Sequence, residues 1–210
     1  MTIPSCYLHF TKPDNSTTFI DSTGKTNWNG FASGTKILNA SLYFNGGIVG
    51  TSISDDSFDI GAGNFTIHFY AKFLDYVTGS VPFVFEGTGI IFCVQEAGII
   101  FCRIGTGSAY DSPPATISDI DWHHFAYVRS SNNFYQFMDG FSVGTPTDVN
   151  TLSMPASMTM GILGYYSNSP NGYMDDFCFI KGEALWTDTF IPPPRTISTS
   201  SLYPYSIVIT

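Results

Sequence analysis

The chain has little positive charge. Among its 210 residues, 8 lysines and arginines stand against 17 aspartates and glutamates, which gives a net charge of -9. Proteins that bind nucleic acid need a basic surface to displace counterions from the phosphates, and no basic run is present. An acidic chain is also repelled by anionic membrane surfaces. We therefore expect neither nucleic acid nor a membrane among its partners.

Long apolar segments are missing as well. No apolar run approaches the roughly 18 residues of a transmembrane helix. The first ten residues, MTIPSCYLHF, have neither the basic nor the apolar region of a secretory signal. We therefore expect a reducing cytosol as the site of synthesis and thiols rather than a disulfide framework. The four cysteines, whose spacing matches no zinc pattern, are Cys6, Cys93, Cys102 and Cys178.

The residue pairs that acid-base or nucleophilic catalysis requires are not evident. Retaining glycosidases use two carboxylates about 5 Å apart, but Glu86, Glu96 and Glu183 lie on three separate segments. No serine or cysteine stands in a nucleophile elbow. His123 and His124 are consecutive on a predicted strand and face opposite ways, so they cannot chelate one metal together. We predict that the chain is not an enzyme.

The composition that remains is typical of an all-β protein. Aromatic residues make up 16% of the chain, and 20 glycines and 12 prolines are spread along it. This profile indicates many short strands joined by tight turns. We count about 12 to 14 strands in one domain and find no convincing amphipathic helix, although residues 181–190 leave room for one helical turn.

Residues 122–140 predict a β-hairpin. The first half alternates between two faces, as a strand with two different environments does. One face carries Trp122, His124, Ala126 and Val128, and the other carries His123, Phe125, Tyr127 and Arg129. A four-residue polar turn at 130–133 precedes an aromatic return strand, and a tight turn at 139–140 ends it.

A second hairpin is predicted at residues 89–105, with its turn at 97–98. A two-residue loop places Cys93 directly opposite Cys102, close enough for a disulfide. We favour two packed thiols because the expected compartment is reducing, and a disulfide is the alternative. The hairpin is apolar, so its outer face is predicted to meet another sheet or another subunit of a homo-oligomer.

Three blocks, in this order and spacing, resemble the laminin-G-like, concanavalin-A-like lectin superfamily. They are SLYFNG with FDIGAGNFTI (41–46, 58–67), WHHFAYVR with MDG (122–129, 138–140), and GYMDDFCFIKG with FIPP (172–182, 190–193). The resemblance implies an all-β fold: two antiparallel sheets packed as a concanavalin-A-like jelly-roll sandwich. Three prolines at 192–194 cannot continue a sheet ladder, so we predict one domain at 1–195. The tail at 196–210 could be disordered, or could anchor to a partner as an added strand.

The third block, which closes on a tryptophan, a phenylalanine and prolines, resembles laminin-G-like domains of tailed-phage virion proteins. This implies a non-catalytic structural or display module, such as a decoration, spike or tail-associated protein. Its location would be the virion surface, after assembly in the host cytoplasm, and its partners would be other virion proteins.

The alternative function is a glycan-binding adhesin that recognises host-surface polysaccharide. Sugars stack their apolar faces on aromatic rings, and a few polar groups fix their orientation. The loop at 164–172 supplies both kinds of residue. Its candidate ligand-binding residues are Tyr165, Tyr166, Asn168 and Asn171.

The resemblance also implies a structural calcium ion. Many relatives hold it between an N-terminal aspartate turn and a carboxylate of the last strand, which maps onto Asp21 with Asp175 or Asp176. Backbone carbonyls and water would complete the six to eight oxygen ligands. The alternative is that Asp21 caps its own turn and that a carboxylate of the Asp175–Asp176 pair accepts backbone hydrogen bonds.

Overall fold

The computed structural model describes residues 4–10, 12–16, 21–24, 36–45, 49–51, 60–75, 80–86, 91–96, 98–105, 110–150, 159–162 and 171–196. Sixteen β-strands and no helix are found in these ranges. The strands are β1 (Cys6–Leu8), β2 (Lys36–Leu38), β3 (Ser41–Asn45), β4 (Val49–Thr51), β5 (Phe65–Phe73), β6 (Ser80–Glu86), β7 (Ile91–Glu96), β8 (Ile99–Ile104), β9 (Tyr110–Asp111), β10 (Ala115–Thr116), β11 (His123–Ser130), β12 (Asn133–Met138), β13 (Phe141–Ser142), β14 (Thr147–Asp148), β15 (Thr159–Ile162) and β16 (Asn171–Lys181).

The strands form two antiparallel sheets. The nine-stranded sheet has the order β13-β12-β11-β5-β16-β3-β2, with β1 beside β16 and β14 beside β12. The seven-stranded sheet has the order β10-β8-β7-β6-β15-β4, with β9 beside β8. The predicted all-β sandwich is therefore confirmed. The predicted 12 to 14 strands fall short of sixteen because β9, β10, β13 and β14 are only two residues long.

One apolar core lies between the two sheets. The central strand β5 contributes Phe65, Ile67, Phe69, Ala71 and Phe73, all with at most 2% of their surface exposed. Residues of β8, namely Ile100, Cys102 and Ile104, belong to the same buried cluster. The odd-numbered positions of β5 therefore face the seven-stranded sheet, and the even-numbered positions face outward.

Both predicted hairpins are present. β11 pairs with β12 in register from Phe125–Met138 to Ser130–Asn133, so the turn has two residues, 131 and 132, rather than four. Ser131 tightens that turn with a φ of 53°. The register of β7 with β8 places Cys93 opposite Cys102, as predicted. Whether that pair is reduced stays a prediction. Residues 182–190 contain no helical turn, so that expectation was wrong.

A buried polar network joins the two sheets. Gln136 of β12 points into the core, where its amide nitrogen donates to the Ile100 carbonyl (3.0 Å). Its side-chain oxygen accepts a hydrogen bond from Ser112 Oγ (2.5 Å), which in turn accepts one from the Cys102 N–H (2.9 Å). Each of these buried polar groups keeps its hydrogen bonds only if the other groups of the network are in place.

Replacing Gln136 with leucine is expected to lower the free energy of unfolding by about 2 kcal/mol, because buried partners are left without hydrogen bonds. Urea denaturation measures this. Ser142→Ala is the control, since Ser142 is exposed and its loss is expected to change stability by less than about 0.5 kcal/mol. Equal effects of the two substitutions would show that the network does not stabilise the sandwich.

Within the described residues, no helix has the length and apolar character needed to cross a membrane.

Candidate ligand-binding groove

Residues 182–196, here called the strap, cross the outer face of the nine-stranded sheet after β16 ends. The Leu185 N–H donates to Thr66 Oγ1 (3.0 Å), on an outward position of β5. Farther along, the Tyr70 hydroxyl donates to the Pro193 carbonyl (2.6 Å). The strap is thus bonded along β5, and it covers a face that a two-sheet sandwich would otherwise leave open to solvent.

Aromatic packing holds the middle of the strap. The rings of Trp186 and Phe190 stack with centroids 3.9 Å apart and an angle of 4° between their planes. They pack against a small buried cluster of Ala126, Val128 and Phe137 on β11 and β12. This second apolar cluster is separate from the core between the sheets.

Two histidines lie beneath the strap. His124 Nε2 and His68 Nδ1 are 3.3 Å apart, and both rings contact Trp186. Burial lowers the pKa of His68 to about 4, although Asp176 raises it in part. Burial, and then the charge of His68, lower the pKa of His124 to about 3. Both side chains are therefore neutral at pH 7.

A groove opens beside the end of the strap. It has a volume of about 210 Å³ and is lined by Asn39, Ser41, Lys72, Trp122, Tyr173 and Arg195. Trp122 and Tyr173 are both half-buried, and their ring centroids are 6.2 Å apart. Tyr173 also contacts Tyr43 of the neighbouring strand at 5.1 Å. Two rings of the adjacent strands β3 and β16, together with Trp122 just before β11, therefore lie close together at this place.

Cationic groups border the same groove. The Arg195 guanidinium lies over the Trp122 ring, 4.2 Å from its centroid. One of its nitrogens, Nη1, is 3.3 Å from Asp175 Oδ2 and 3.4 Å from Ser41 Oγ. Lys72, opposite Tyr173 in the β16–β5 register, adds a second positive charge.

A carboxylate cluster lies beneath Arg195. The β16–β5 register shifts between Asp175 and Cys178, and Asp176 takes a φ of 48°. This bulge re-aims Asp176, so that its Oδ1 accepts hydrogen bonds from Tyr7 OH (2.9 Å) and lies 2.8 Å from His9 Nδ1. Its Oδ2 accepts the Thr196 N–H (2.6 Å).

Burial of Asp175 changes how readily its carboxyl group loses a proton. Asp175 is fully buried, and burial raises its pKa to about 7, with a further increase from the charge of Asp176. The Asp176 N–H and the Arg195 guanidinium act in the opposite direction. The Asp175 carboxyl is therefore harder to ionise than an exposed aspartate, and Arg195 holds the end of the strap over it.

The sequence also identifies the family. A laminin-G family model, described as the concanavalin A-like lectin/glucanases superfamily, matches residues 45–185. The chain belongs to this superfamily. A comparison with curated protein sequences gave no match.

Solved structures with the same fold support the assignment of this laminin-G-like domain. The binding domain of Paraclostridial Mosquitocidal Protein 1 aligns with a TM-score of 0.66 at 14% identity, over 87% of this chain and 49% of that one. Domain 4 of AbnA, a GH43 extracellular arabinanase from Geobacillus stearothermophilus in complex with arabinotriose, aligns with a TM-score of 0.63 at 16% identity. This alignment covers 86% of this chain and 93% of Domain 4. The botulinum neurotoxin serotype D binding domain aligns with a TM-score of 0.66 at 11% identity, over 87% of this chain and 48% of that one. The laminin-G-like domain thus spans about half of the two toxin domains.

The structure brings together part of the predicted calcium site. One oxygen or nitrogen of each of His9, Asp175 and Asp176 lies within 4.8 Å of the others, and Asp21 is not in this group. Asp21 Oδ1 accepts the N–H groups of Tyr7 and Thr23, both at 2.9 Å.

These contacts bear on whether calcium fits. The carboxylates of Asp21 and Asp176 already accept hydrogen bonds from protein donors, and Arg195 brings a positive charge to Asp175. Calcium would have to replace these donors, and the group contains a histidine nitrogen, whereas calcium prefers oxygen ligands. The residues present therefore fit calcium only in part, and the ion stays a prediction.

The predicted ligand loop is only partly described. Tyr165, Tyr166 and Asn168 lie outside the described residues. Asn171 begins β16, where its N–H donates to Asp75 Oδ1 (2.9 Å). Its side-chain oxygen is buried and has no hydrogen-bond partner among the residues that the structure describes. Two residues farther along the same strand is Tyr173 of the groove, on the same face of β16.

Sequence reasoning missed the groove residues themselves. Alternation places Trp122, Lys72 and Tyr173 each on one face of its own strand, but nothing in the alternation predicts that these three separate segments meet. Arg195 follows three prolines, which were interpreted only as the end of the domain. The available signal was that Trp122 shares a strand face with His124, and Tyr173 shares one with Asp175, because large aromatics beside polar residues often mark a binding surface.

Proposed function

We propose that this laminin-G-like domain is a non-catalytic glycan-binding module and that the groove holds the sugar. The observation that carries the proposal is the pairing of two half-exposed rings, Trp122 and Tyr173, with polar groups in one cavity. Aromatic faces bind the apolar side of a pyranose, and a few hydrogen-bonding groups fix its orientation. Asn39, Lys72 and Arg195 supply those groups.

The chemistry of the groove favours binding over catalysis. No aspartate or glutamate is among the lining residues of the groove in the described part of the chain. Asp175 lies below them, fully buried, with Arg195 as its partner. A glycosidase mechanism needs two carboxyl groups that reach the scissile bond. Incubation with polysaccharide should accordingly release no reducing ends.

The structural neighbours are consistent with this proposal at the level of fold. Two are named as binding domains of toxins, and Domain 4 of AbnA was solved in complex with arabinotriose. At 11 to 16% identity these likenesses concern the fold and carry over no ligand. Glycan binding by this chain rests on its own groove.

The substitution Tyr173→Ala should lower affinity for a bound glycan at least tenfold, about 1.4 kcal/mol, because it removes one stacking surface. A glycan array identifies the ligand, and calorimetry compares the variants. Phe141→Ala is the matched control, since this aromatic is 68% exposed on β13 and lies outside the groove.

The same experiment separates two candidate sites. The double variant Tyr165→Ala/Tyr166→Ala tests the loop predicted from the sequence. Loss of binding in that variant, with full binding by Tyr173→Ala, would transfer the site from the groove to the loop. Absence of binding to any glycan would remove the proposal.

We further propose that the module is displayed on a virion surface, as its sequence resemblance suggests, with other virion proteins as partners and 196–210 as an anchor. Glycan binding and display are compatible in one module. Proteomics of purified particles tests this role, and absence of the chain from particles would end it.

The calcium proposal is tested by heat denaturation. If Asp21 and Asp175 or Asp176 hold an ion, added calcium raises the unfolding midpoint and chelator lowers it. Asp176→Asn should abolish that difference. Identical midpoints with calcium and with chelator would leave the hydrogen bonds described above as the only role of these carboxylates.

A further inference from the structure

We infer that the ligand of the groove is an acidic saccharide, one that carries a carboxylate or sulfate. This inference rests on the proposed glycan-binding function and specifies its ligand class. The groove concentrates positive charge in a chain of net charge -9 with only 8 basic residues. Two of those eight, Lys72 and Arg195, line one cavity of about 210 Å³.

Lys72 is the first element of the argument. It lies half-buried on β5, opposite Tyr173 on β16. Its ammonium group has no hydrogen bond or ion pair with any residue in the described part of the chain. By contrast, Lys36, on the outer face of the same sheet, donates to Asn15 Oδ1 (3.0 Å). Lys72 therefore has its donors available to a ligand beside an aromatic ring.

Arg195 is the second element. A guanidinium has five N–H donors, and the contacts to Asp175 and Ser41 both use Nη1, at 3.3 and 3.4 Å. The Trp122 ring beneath it fixes the plane of the group. The remaining donors match the two oxygens of a carboxylate or sulfate, which an arginine fork binds in bidentate fashion.

Nearby negative charge does not cancel this arrangement. Asp175 is fully buried, its Oδ2 lies 3.3 Å from Arg195 Nη1, and it does not line the groove. The Asp176 carboxylate accepts hydrogen bonds from the Tyr7 hydroxyl and the Thr196 N–H, and it lies 2.8 Å from His9 Nδ1. An anionic sugar in the groove thus meets two cations and two aromatic rings, whereas a neutral sugar would leave the charge of Lys72 unpaired.

The test compares glycans that carry an acidic group with neutral counterparts that lack it. The whole chain is assayed with oligogalacturonate and its methyl ester, and with 3′-sialyllactose, 3′-sulfolactose and lactose. We expect at least one acidic member to bind tenfold or more tightly than its neutral counterpart at low ionic strength, with the gap shrinking as salt rises. The carboxylated and sulfated arms show which anion is used.

Substitutions of lysine residues test whether Lys72 causes the preference for an acidic sugar. Lys72→Gln should remove most of the preference for the acidic sugar over its neutral counterpart, and Lys72→Arg should restore much of that preference. Lys36→Gln is the matched control and should leave the preference intact. Equal binding of acidic and neutral members, or an unchanged preference in Lys72→Gln, overturns this inference but not the proposed function. Failure of every sugar to bind overturns both.

Discussion

Replacing Gly140 with alanine is expected to lower the free energy of unfolding by about 3 kcal/mol or more. Gly140 has a φ of 81°, a conformation that costs an alanine about 1–2 kcal/mol. An added Cβ would lie 2.0 Å from the Phe190 carbonyl oxygen and 2.9 Å from Pro192 Cδ. The strap must therefore move away, and it loses the burial of Phe190, worth about 2 kcal/mol.

Gly182→Ala is a matched control for this prediction. Gly182 begins the strap with a φ of 86°, but an added Cβ meets no atom within 4 Å. It should therefore cost only the conformational part, about 1–2 kcal/mol. Urea denaturation measures both, and trypsin cleavage after Arg195 reports whether the strap has lifted. Equal losses in the two variants would show that close packing of Gly140 against the strap adds nothing.

Strap displacement also links stability to ligand binding. Arg195 reaches the groove only because the strap is held along β5 and against the turn at Gly140, whose carbonyl accepts the Phe190 N–H (3.0 Å). Gly140→Ala should therefore weaken glycan binding although Gly140 is outside the groove. Gly182→Ala, with the strap in place, should not.

The sheets were predictable from the sequence because their signals are local. The alternation of β5 and of β11 specifies which residues are buried, and a short turn specifies the register of a hairpin. The turn at residues 97–98 thus placed Cys93 opposite Cys102 correctly. At the other hairpin the same reasoning gave too long a turn, because Ser130 and Asn133, polar residues assigned to the loop, pair as strand ends.

The groove was not predictable because it depends on contacts between distant segments. Arg195 lies over Trp122, 73 positions away in sequence, and both depend on the course of the strap. Three prolines predict where a sheet ladder ends, but they do not predict that the following residues return across the outer face. The alternation of residues 64–73, NFTIHFYAKF, predicts a polar face with Thr66, His68, Tyr70 and Lys72, whereas Thr66 and His68 are buried beneath the strap.

Acidification is expected to destabilise the protein through the two histidines beneath the strap. Their folded pKa values of about 4 for His68 and about 3 for His124 are below the unfolded value of about 6.5. The unfolded chain therefore binds more protons between pH 6.5 and about 4, so stability is full above pH 6.5 and is lost as the pH falls. A histidine that stays unprotonated contributes a loss of about 2 kcal/mol between pH 6.5 and 4.5.

The double variant His68→Gln/His124→Gln keeps polar side chains at both positions but cannot take up the protons. Its unfolding free energy, measured by urea denaturation from pH 7.5 to 4.5, should fall less steeply than that of the wild type. The difference between the two curves isolates the histidines from other groups that face them or titrate nearby, namely Tyr70, Asp175, Asp176 and Cys178.

His123→Gln is the control of opposite sign. Burial lowers the pKa of His123, but its hydrogen bonds to Asp139 (2.7 Å) and Asp119 (2.9 Å) outweigh that effect and raise it overall. Its stabilisation is therefore present below pH 6.5 and is lost as the pH rises through the folded pKa. Removing it should make the protein more sensitive to acid, not less. Parallel pH profiles for the wild type and the His68/His124 variant would mean that the pair is accessible to protons in the folded state, and the strap would then not seal the face that it crosses.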